Sequence, residues 1–335
     1  MKRIFSLLLA LALALSLCAC AAPAETADDG KLQIVTTLFP YYDFARAIAQ
    51  DRADVTLLLS PGREAHSFEP TPLDAVTISE ADVFLYNGGE GEYWVESMLD
   101  AAGEHIAVAS RMMDYVDALN EEYVEGMQGA DGHDHDHEHG SHDDHDHDHE
   151  EDEHDSDEIE YDEHIWTSPK NAVVLCRAVC DAICRADAEN AAFYRANCEN
   201  YCAQLEDLDA RFAALCESAP RRLLIFADRF PMLYFCREYG LDYRAAFHGC
   251  SGDTEPSLAT IKFLIDKVEN ENIPVVYTID FGTKKVAAVV SECTGAAIET
   301  IYSMQTVSRA DFDAGETYLT LMERNFDALR KGLNE

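Results

Sequence analysis

Beginning at Leu32, apolar residues fall into short runs, each followed by a stretch in which they recur every third or fourth position. That pattern is the signature of strands alternating with amphipathic helices. In the first half it predicts strands at LQIVTTL, VTLLLS, VFLYNG and HIAVAS, with helices at YYDFARAIAQ, DAVTISE and YWVESMLDAA. After a polar interruption, IWTSPKN opens a helix with Ser168 as N-cap and Pro169 as first residue, where a missing N–H costs nothing. Helical periodicity continues to about Cys216, with a break near Ala186 to Glu189. The second half repeats the alternation: strands at LLIFAD, DYRAAF, PVVYTID and AIETIY, helices at FPMLYFCREYG, SLATIKFLIDKVENEN and KKVAAVVSECTG, and a final helix from about Arg309 to Leu333. Two α/β lobes joined by a strandless helical spine leave a cleft between them. Ligands of open α/β sheets sit beyond the carboxyl ends of the strands, so that cleft is where chemistry is expected.

The residues before Leu32 carry a different message. Lys2 and Arg3 precede the apolar run IFSLLLALALALSL, which is too short for a comfortable membrane span and has the form of an export signal. Leu17-Cys18-Ala19-Cys20 resembles a bacterial lipobox, with Leu three positions before Cys20 and a small residue immediately before it. Cys20 is therefore the expected lipidated first residue of the mature chain, and AAPAETADDG after it has the composition of a flexible tether. The resulting division is a signal peptide at 1–19, a tether at 20–30, an N-terminal lobe at 31–168, a connecting helical region at 169–219 and a C-terminal lobe at 220–335.

Composition adds a charge and a metal. The 335-residue chain is 47% hydrophobic, enough for two lobes with real cores, and its formal charge is −39. Such a balance repels phosphates, so nucleic acid is excluded as a partner and cations are favoured. Much of the excess sits in residues 131–158, where HDHDHEHGSHDDHDHDHEEDEH places nine of the thirteen histidines among Asp and Glu. The run has nothing apolar to bury and its like charges repel, so it reads as a solvated loop. Imidazole and carboxylate together suit borderline first-row metals, zinc above all.

Nine cysteines follow Cys20, an odd number for a disulfide framework. Cys176, Cys180 and Cys184 share a helical face, as do Cys198 and Cys202. They are expected to pack as small apolar residues, since free Cys behaves as a small hydrophobe; a soft-metal thiolate site is the alternative.

Outside the loop only His66, His105, His164 and His248 remain. His66 follows a strand and the turn Pro61-Gly62, and His164 lies just before a capped helix, so both sit at lobe edges facing the cleft. Here the strings HSFEPTPLDAVTISEADVFLYNGGEGEYWVESML, HIWTSPKNA, REYGL and AGETYLTLM resemble the zinc and manganese substrate-binding lipoproteins of bacterial ABC importers. More narrowly, the chain resembles the zinc-uptake branch that carries an acidic, histidine-rich loop. The resemblance spans nearly the whole mature chain. It implies two (β/α) lobes joined by a long rigid helix with one metal between them, and it makes His66 and His164 the first two ligands. At the third position relatives commonly carry His or Glu, whereas this chain has Arg229, and a cation does not ligate a cation.

Strand geometry offers substitutes. Asp228 ends LLIFAD and Asp280 ends PVVYTID, so His66, His164, Asp228 and Asp280 are expected to form a site of two nitrogens and two oxygens. The structural alternative for each Asp is a helix N-cap or a salt bridge. His248 and Glu255 are reserve ligands, and Glu69, Tyr86 and Trp166, close in sequence to the ligands or at strand ends, are candidate supports for the metal-bound side chains. The expected activity is non-catalytic: binding Zn²⁺ outside the membrane and delivering it to an ABC permease and its ATPase, as a lipid-anchored monomer. The histidine-rich loop captures or senses the metal, through local concentration. Manganese as cargo, an extracellular metal buffer or adhesin, and a zinc hydrolase are the alternatives; the last lacks HExxH or a comparable motif.

Overall fold

A computed structural model describes residues 30–63, 68–103, 106–127, 160–249 and 255–334. Cys20, His66, His105 and the histidine-rich segment 131–158 lie outside the described residues.

The first sheet is built from β1 (Leu32–Thr36), β2 (Ala53–Leu57), β3 (Val83–Tyr86) and β4 (Val108–Arg111), all parallel, in the order β2-β1-β3-β4. The helices α1 (Phe39–Ala49), α2 (Pro72–Ser79) and α3 (Trp94–Ala102) supply its crossovers. α1 has Pro in its first turn and buries Tyr41, Phe44 and Ile48, while α2 starts at a reciprocal Thr71–Asp74 capping box. The second sheet repeats the plan with β5 (Leu223–Phe230), β6 (Asp242–His248), β7 (Val275–Ile279) and β8 (Ala297–Ile301) in the order β6-β5-β7-β8. Its crossovers are α6 (Leu233–Tyr239), α7 (Leu258–Asn270) and α8 (Lys285–Thr294). Each sheet reverses its winding direction once, between β1 and β3 and between β5 and β7, and these two switch points leave crevices at the strands' carboxyl ends.

Between the sheets run α4 (Pro169–Ala186) and α5 (Ala191–Ser218), separated by a single 3₁₀ turn at Ala188–Asn190 close to the expected break. Ser168 caps α4 by accepting from the Asn171 N–H. α5, about 42 Å long at the helical rise, reaches both lobes: Tyr201 packs edge-on to Phe44 of α1, and Phe212 to Phe235 of α6. The spine is also tied by hydrogen bonds. Asp43 of α1 is buried and accepts hydrogen bonds from the Tyr201 hydroxyl (2.6 Å) and the Tyr318 N–H (2.9 Å). One apolar cluster consequently runs from the first sheet through the spine into the inner face of the second.

Two expectations are corrected. The final helix is not continuous: α9 (Arg309–Asp313) ends before Gly315, which has φ +77°, and α10 (Tyr318–Asn334) restarts after Thr317, whose hydroxyl accepts from the Thr320 N–H. The strand predicted at LLIFAD extends through Arg229 and Phe230, with a register shift between Phe226 and Arg229, so α6 begins at Leu233. Among the described residues no helix is long and apolar enough to cross a membrane.

Candidate metal centre

His164 stands between Glu163 and a 3₁₀ turn at Ile165–Thr167 that leads into α4. It is buried, at 2% exposure, and its ring is held on several sides. Asp162 Oδ1 accepts from the His164 backbone N–H (2.8 Å) and lies 3.2 Å from Nδ1. A carboxylate in that position accepts a hydrogen bond from Nδ1–H and leaves Nε2 as the lone-pair nitrogen of the neutral ring, the arrangement usual for metal-binding histidine. The indole of Trp166 lies 5.6 Å from the imidazole and is itself fixed by donating to the Ser303 carbonyl (2.7 Å). Gly249 presses close enough that a Cβ there would stand 3.0 Å from the imidazole Cε1. Tyr234, from α6 in the second lobe, donates to the Asp162 carbonyl (2.8 Å) and so ties this segment across the cleft.

The field around His164 is negative. Burial works to lower its pKa, but the carboxylates of Asp162, Glu121 and Glu163 outweigh it and raise the net value. Burial in turn raises the pKa of Asp162 and of Glu163. A dication entering here would satisfy buried carboxylates that are costly to keep charged alone.

Two adjoining cavities mark the cleft, and each lies at a switch point. The first is lined by Thr37, Asn87, Glu92, Glu163 and Gln305, among others, with Phe68 and Trp94 forming an apolar wall. Thr37 and Asn87 directly follow β1 and β3. The segment bearing His66 leaves the described chain at Arg63 and rejoins it at Phe68, whose ring lies 5.5 Å from Trp94. The second cavity is lined by His164, Arg229, Ile279, Phe281, Ser303 and Gln305. Gln305 is common to both.

The two predicted aspartates sit differently from His164. The Asp228 carboxylate turns into its own sheet: Oδ2 accepts from the Thr278 hydroxyl (2.6 Å) and the Ile279 N–H (3.4 Å), and Oδ1 from the Arg229 N–H (2.9 Å). It thereby bridges β5 to β7 at the register shift, and Gly282 is required beside it, because a Cβ there would fall 1.8 Å from Oδ2. Asp280 accepts from the Ser303 N–H (3.2 Å) and lines a separate cavity with Lys284, Thr300 and Asp311, although Phe281 borders that cavity and the one holding His164. Burial pushes the Asp280 carboxyl up to about 7. His164, Asp228 and Asp280 are not gathered to ligand spacing: among the described residues the one group of His, Cys, Asp or Glu whose ligand atoms lie within 4.8 Å of each other is Cys176, Cys198 and Cys202.

The remaining candidates divide. His248 ends β6, its Nδ1 3.5 Å from Glu121 Oε1 and its ring 5.0 Å from that of Tyr123. Glu255 pairs with Lys285 (3.6 Å) on the surface, Glu69 is exposed, and Tyr86 stacks on Phe84. Sequence reasoning passed over Asp162, Glu163 and Gln305. For Asp162 a signal existed, since it stands two residues before His164 in DEH and can reach the same residue's backbone and ring.

Comparison with known proteins places these features. The family model described as zinc-uptake complex component A, periplasmic, matches residues 34–332. The high-affinity zinc uptake system protein ZnuA of Bacillus subtilis is 30% identical over 306 residues, covering 90% of this chain and 88% of its own. The zinc-binding lipoprotein AdcA of Streptococcus pneumoniae is likewise 30% identical over 90% of this chain, which spans only 56% of that longer protein. Among solved structures, the Zn(II)-bound ZnuA-like domain of AdcA from Streptococcus pneumoniae matches with a TM-score of 0.70 at 26% identity, over 91% of this chain and all of that one. The metal-dependent lipoprotein YcdH of Bacillus subtilis matches with a TM-score of 0.72 at 29% identity, over 90% of this chain and all of that one.

Proposed function

The chain belongs to the zinc-uptake complex component A family, and from that premise we propose that it binds Zn²⁺ outside the cytoplasmic membrane and hands it to the permease of an ABC importer. The observation that carries the reading is the Asp162–His164 pair, a buried imidazole with its Nδ1 held by a carboxylate and a negative field around it. His66 and His164 supply the nitrogen ligands, and carboxylates from the second lobe complete the shell as the lobes close on the ion. Of these, Asp280 is held by Ser303 and by the N–H groups of its own turn, and burial pushes its carboxyl up to about 7, whereas Asp228 cross-links β5 to β7 through Thr278 and Ile279. Asp280 is the favoured third ligand, because a cation relieves the cost of its burial without parting two strands, with Asp228 the fourth.

The donor set is borderline to hard, which suits Zn²⁺ and leaves Mn²⁺ as the second cargo to test. The segment 131–158 gathers metal near the cleft: its described ends, Met127 and Glu160, leave from a stem in which Glu121 donates its N–H to the Glu160 carbonyl (2.9 Å). A lipid on Cys20 holds the mature chain, as a monomer, at the outer face of the membrane. Nothing in the cleft pairs a nucleophile with a base, so hydrolysis is disfavoured among the described residues.

Native mass spectrometry on protein lacking residues 131–158, purified without a metal-affinity column, tests the cleft. One equivalent of zinc is expected, and its absence sinks the proposal. Zinc uptake by cells carrying the same deletion at limiting zinc tests the loop, whose capture role fails if uptake is unaltered.

A further inference from the structure

The spine contains a second constellation that the cleft does not use. Cys176, Cys180 and Cys184 of α4 face Cys198 and Cys202 of α5, and all five are buried free thiols. The sulfurs of Cys198 and Cys202 are 3.8 Å apart, and those of Cys180 and Cys184 4.0 Å. Cys176, Cys198 and Cys202 have all three sulfurs within 4.8 Å of one another. Cys198 is the hub, in thiol contact with Cys176, Cys180 and Cys202.

Packing alone asks only for small apolar side chains in this seam. It does not ask for sulfurs at the vertices of a coordination polyhedron. With a Zn–S bond of about 2.3 Å, the edge of a tetrahedron of sulfurs is about 3.8 Å, the separation found for Cys198 and Cys202. The third sulfur needs a shift of at most about an ångström, within the reach of a Cys χ1 adjustment. The charge is provided for as well. The Arg177 guanidinium at the edge of the seam favours thiolate at Cys198 and Cys202, while burial opposes it, so the incoming dication supplies the rest of the compensating charge. Arg177 is itself steadied by Glu199 (2.8 Å) and Glu206 (3.4 Å) at the solvent edge of the seam.

We propose that Cys176, Cys198 and Cys202, with Cys180 as a fourth sulfur, form a thiolate site between α4 and α5 that takes a thiophilic d10 cation such as Zn²⁺ or Cd²⁺. Binding by the three thiols forms three metal–sulfur bonds and releases three protons to solvent. The complex carries one net negative charge, which Arg177 offsets, and no electron changes hands. Because α4 begins directly after the His164 turn and α5 reaches the second lobe, the bound ion would clamp the spine on which the two lobes hang. It would stabilise the folded chain by mass action.

The test uses the full chain, reduced and under anaerobic conditions, titrated with Cd²⁺ alone. Thiolate-to-cadmium charge transfer absorbs in the near ultraviolet, and imidazole or carboxylate sites do not produce it, so the cleft and the histidine-rich segment leave the readout clean. A band that grows to a plateau is expected, with a melting temperature raised by several degrees. The band is expected to be lost in C198A and in C202A and kept in C293A, which removes the exposed cysteine of α8, while the rise in melting temperature shrinks in the two seam variants to the part the cleft supplies. Circular dichroism confirms folding, and if either seam variant fails to fold the other decides. No band in the wild-type chain, or a band that survives in the folded seam variant, overturns the proposal. So does a band lost in C293A. A Cys176–Cys198 disulfide found by mass spectrometry after air oxidation, with no band after reduction, assigns the seam to redox chemistry instead.

Discussion

The two walls of the cleft are unequally prepared. On the first-lobe side His164 is buried, its Nδ1 held by Asp162 and its ring packed on Trp166, with Gly249 of the second lobe closing against it. On the second-lobe side Arg229 occupies the cavity that His164 lines, Asp228 is committed to its own sheet, and Asp280 opens into a neighbouring cavity. On the proposed function, one wall is preorganised for a cation and the other rearranges to meet it. A binding protein gains by that asymmetry, because an ion seated first on the rigid wall draws in carboxylates from the other, and release reverses only the second step. Affinity should therefore respond steeply to changes on the first wall and more gently, in either direction, to changes on the second.

The largest effect is expected from His164→Ala, which should weaken zinc binding by more than about a hundredfold in competition with a chromophoric chelator, on protein lacking residues 131–158. Asp162→Asn leaves the ligand but removes the carboxylate behind it, and should cost about ten- to a hundredfold. Equal losses in the two variants would say that Asp162 holds the fold rather than the ligand, and the preorganised wall would lose its argument.

Stability offers an independent probe of the same wall. Burial raises the Glu92 carboxyl from 4.5 to about 7. Below about pH 4.5 both folded and unfolded chains hold the proton and burial of Glu92 carries no ionic penalty. Between about 4.5 and 7 the unfolded chain ionises while the folded one stays protonated, so stability falls as pH rises, and above about 7 the loss levels off. The full difference is about 3 kcal/mol. Glu92→Gln should remove that part of the slope in urea unfolding compared at about pH 5 and about pH 8. A difference between wild type and variant that stays constant across that window contradicts the assignment.

The legibility of the chain follows the same division. Both sheets, the spine and its break could be read because their hydrophobic periods are long and their caps, Ser168-Pro169 above all, are local. His164 is singled out by the motif around it, and the structure buries that residue against Asp162. The final helix was misjudged because Gly315 interrupts an otherwise helical period, and a single αL residue does not alter hydrophobic spacing. The environments of Asp228 and Asp280 were not legible at all. A strand-terminal aspartate in sequence gives no sign of a register shift, yet the shift between Phe226 and Arg229 is what sends the Asp228 carboxylate to Thr278. Long-range partners of this kind, fifty residues apart, leave no local trace.

On the second wall Asp280→Asn should weaken zinc by about ten- to a hundredfold, on the scale of a supporting ligand contact. Asp228→Asn should instead lower the stability of the second lobe by about 1–3 kcal/mol through lost hydrogen bonds at the strand shift, with a smaller effect on zinc. If the order is reversed, Asp228 swings into the cleft more readily than its bonds suggest, and closure involves an opening of β5 from β7.

The gentlest test is the most discriminating, because it predicts a gain. Arg229 lines the cavity of His164 with a positive charge, at the position where the resemblance implies a ligand. Arg229→His exchanges that charge for a neutral imidazole on the same strand position and should tighten zinc binding by about tenfold, roughly the worth of one modest interaction. Arg229→Gln separates the two contributions, since it removes the charge without supplying a nitrogen ligand. A gain in both variants assigns the effect to charge, and a gain in histidine alone assigns it to ligation. A loss in both would mean that Arg229 is part of how the second wall is held, and that this chain has traded a direct ligand for a residue that positions the carboxylates around it.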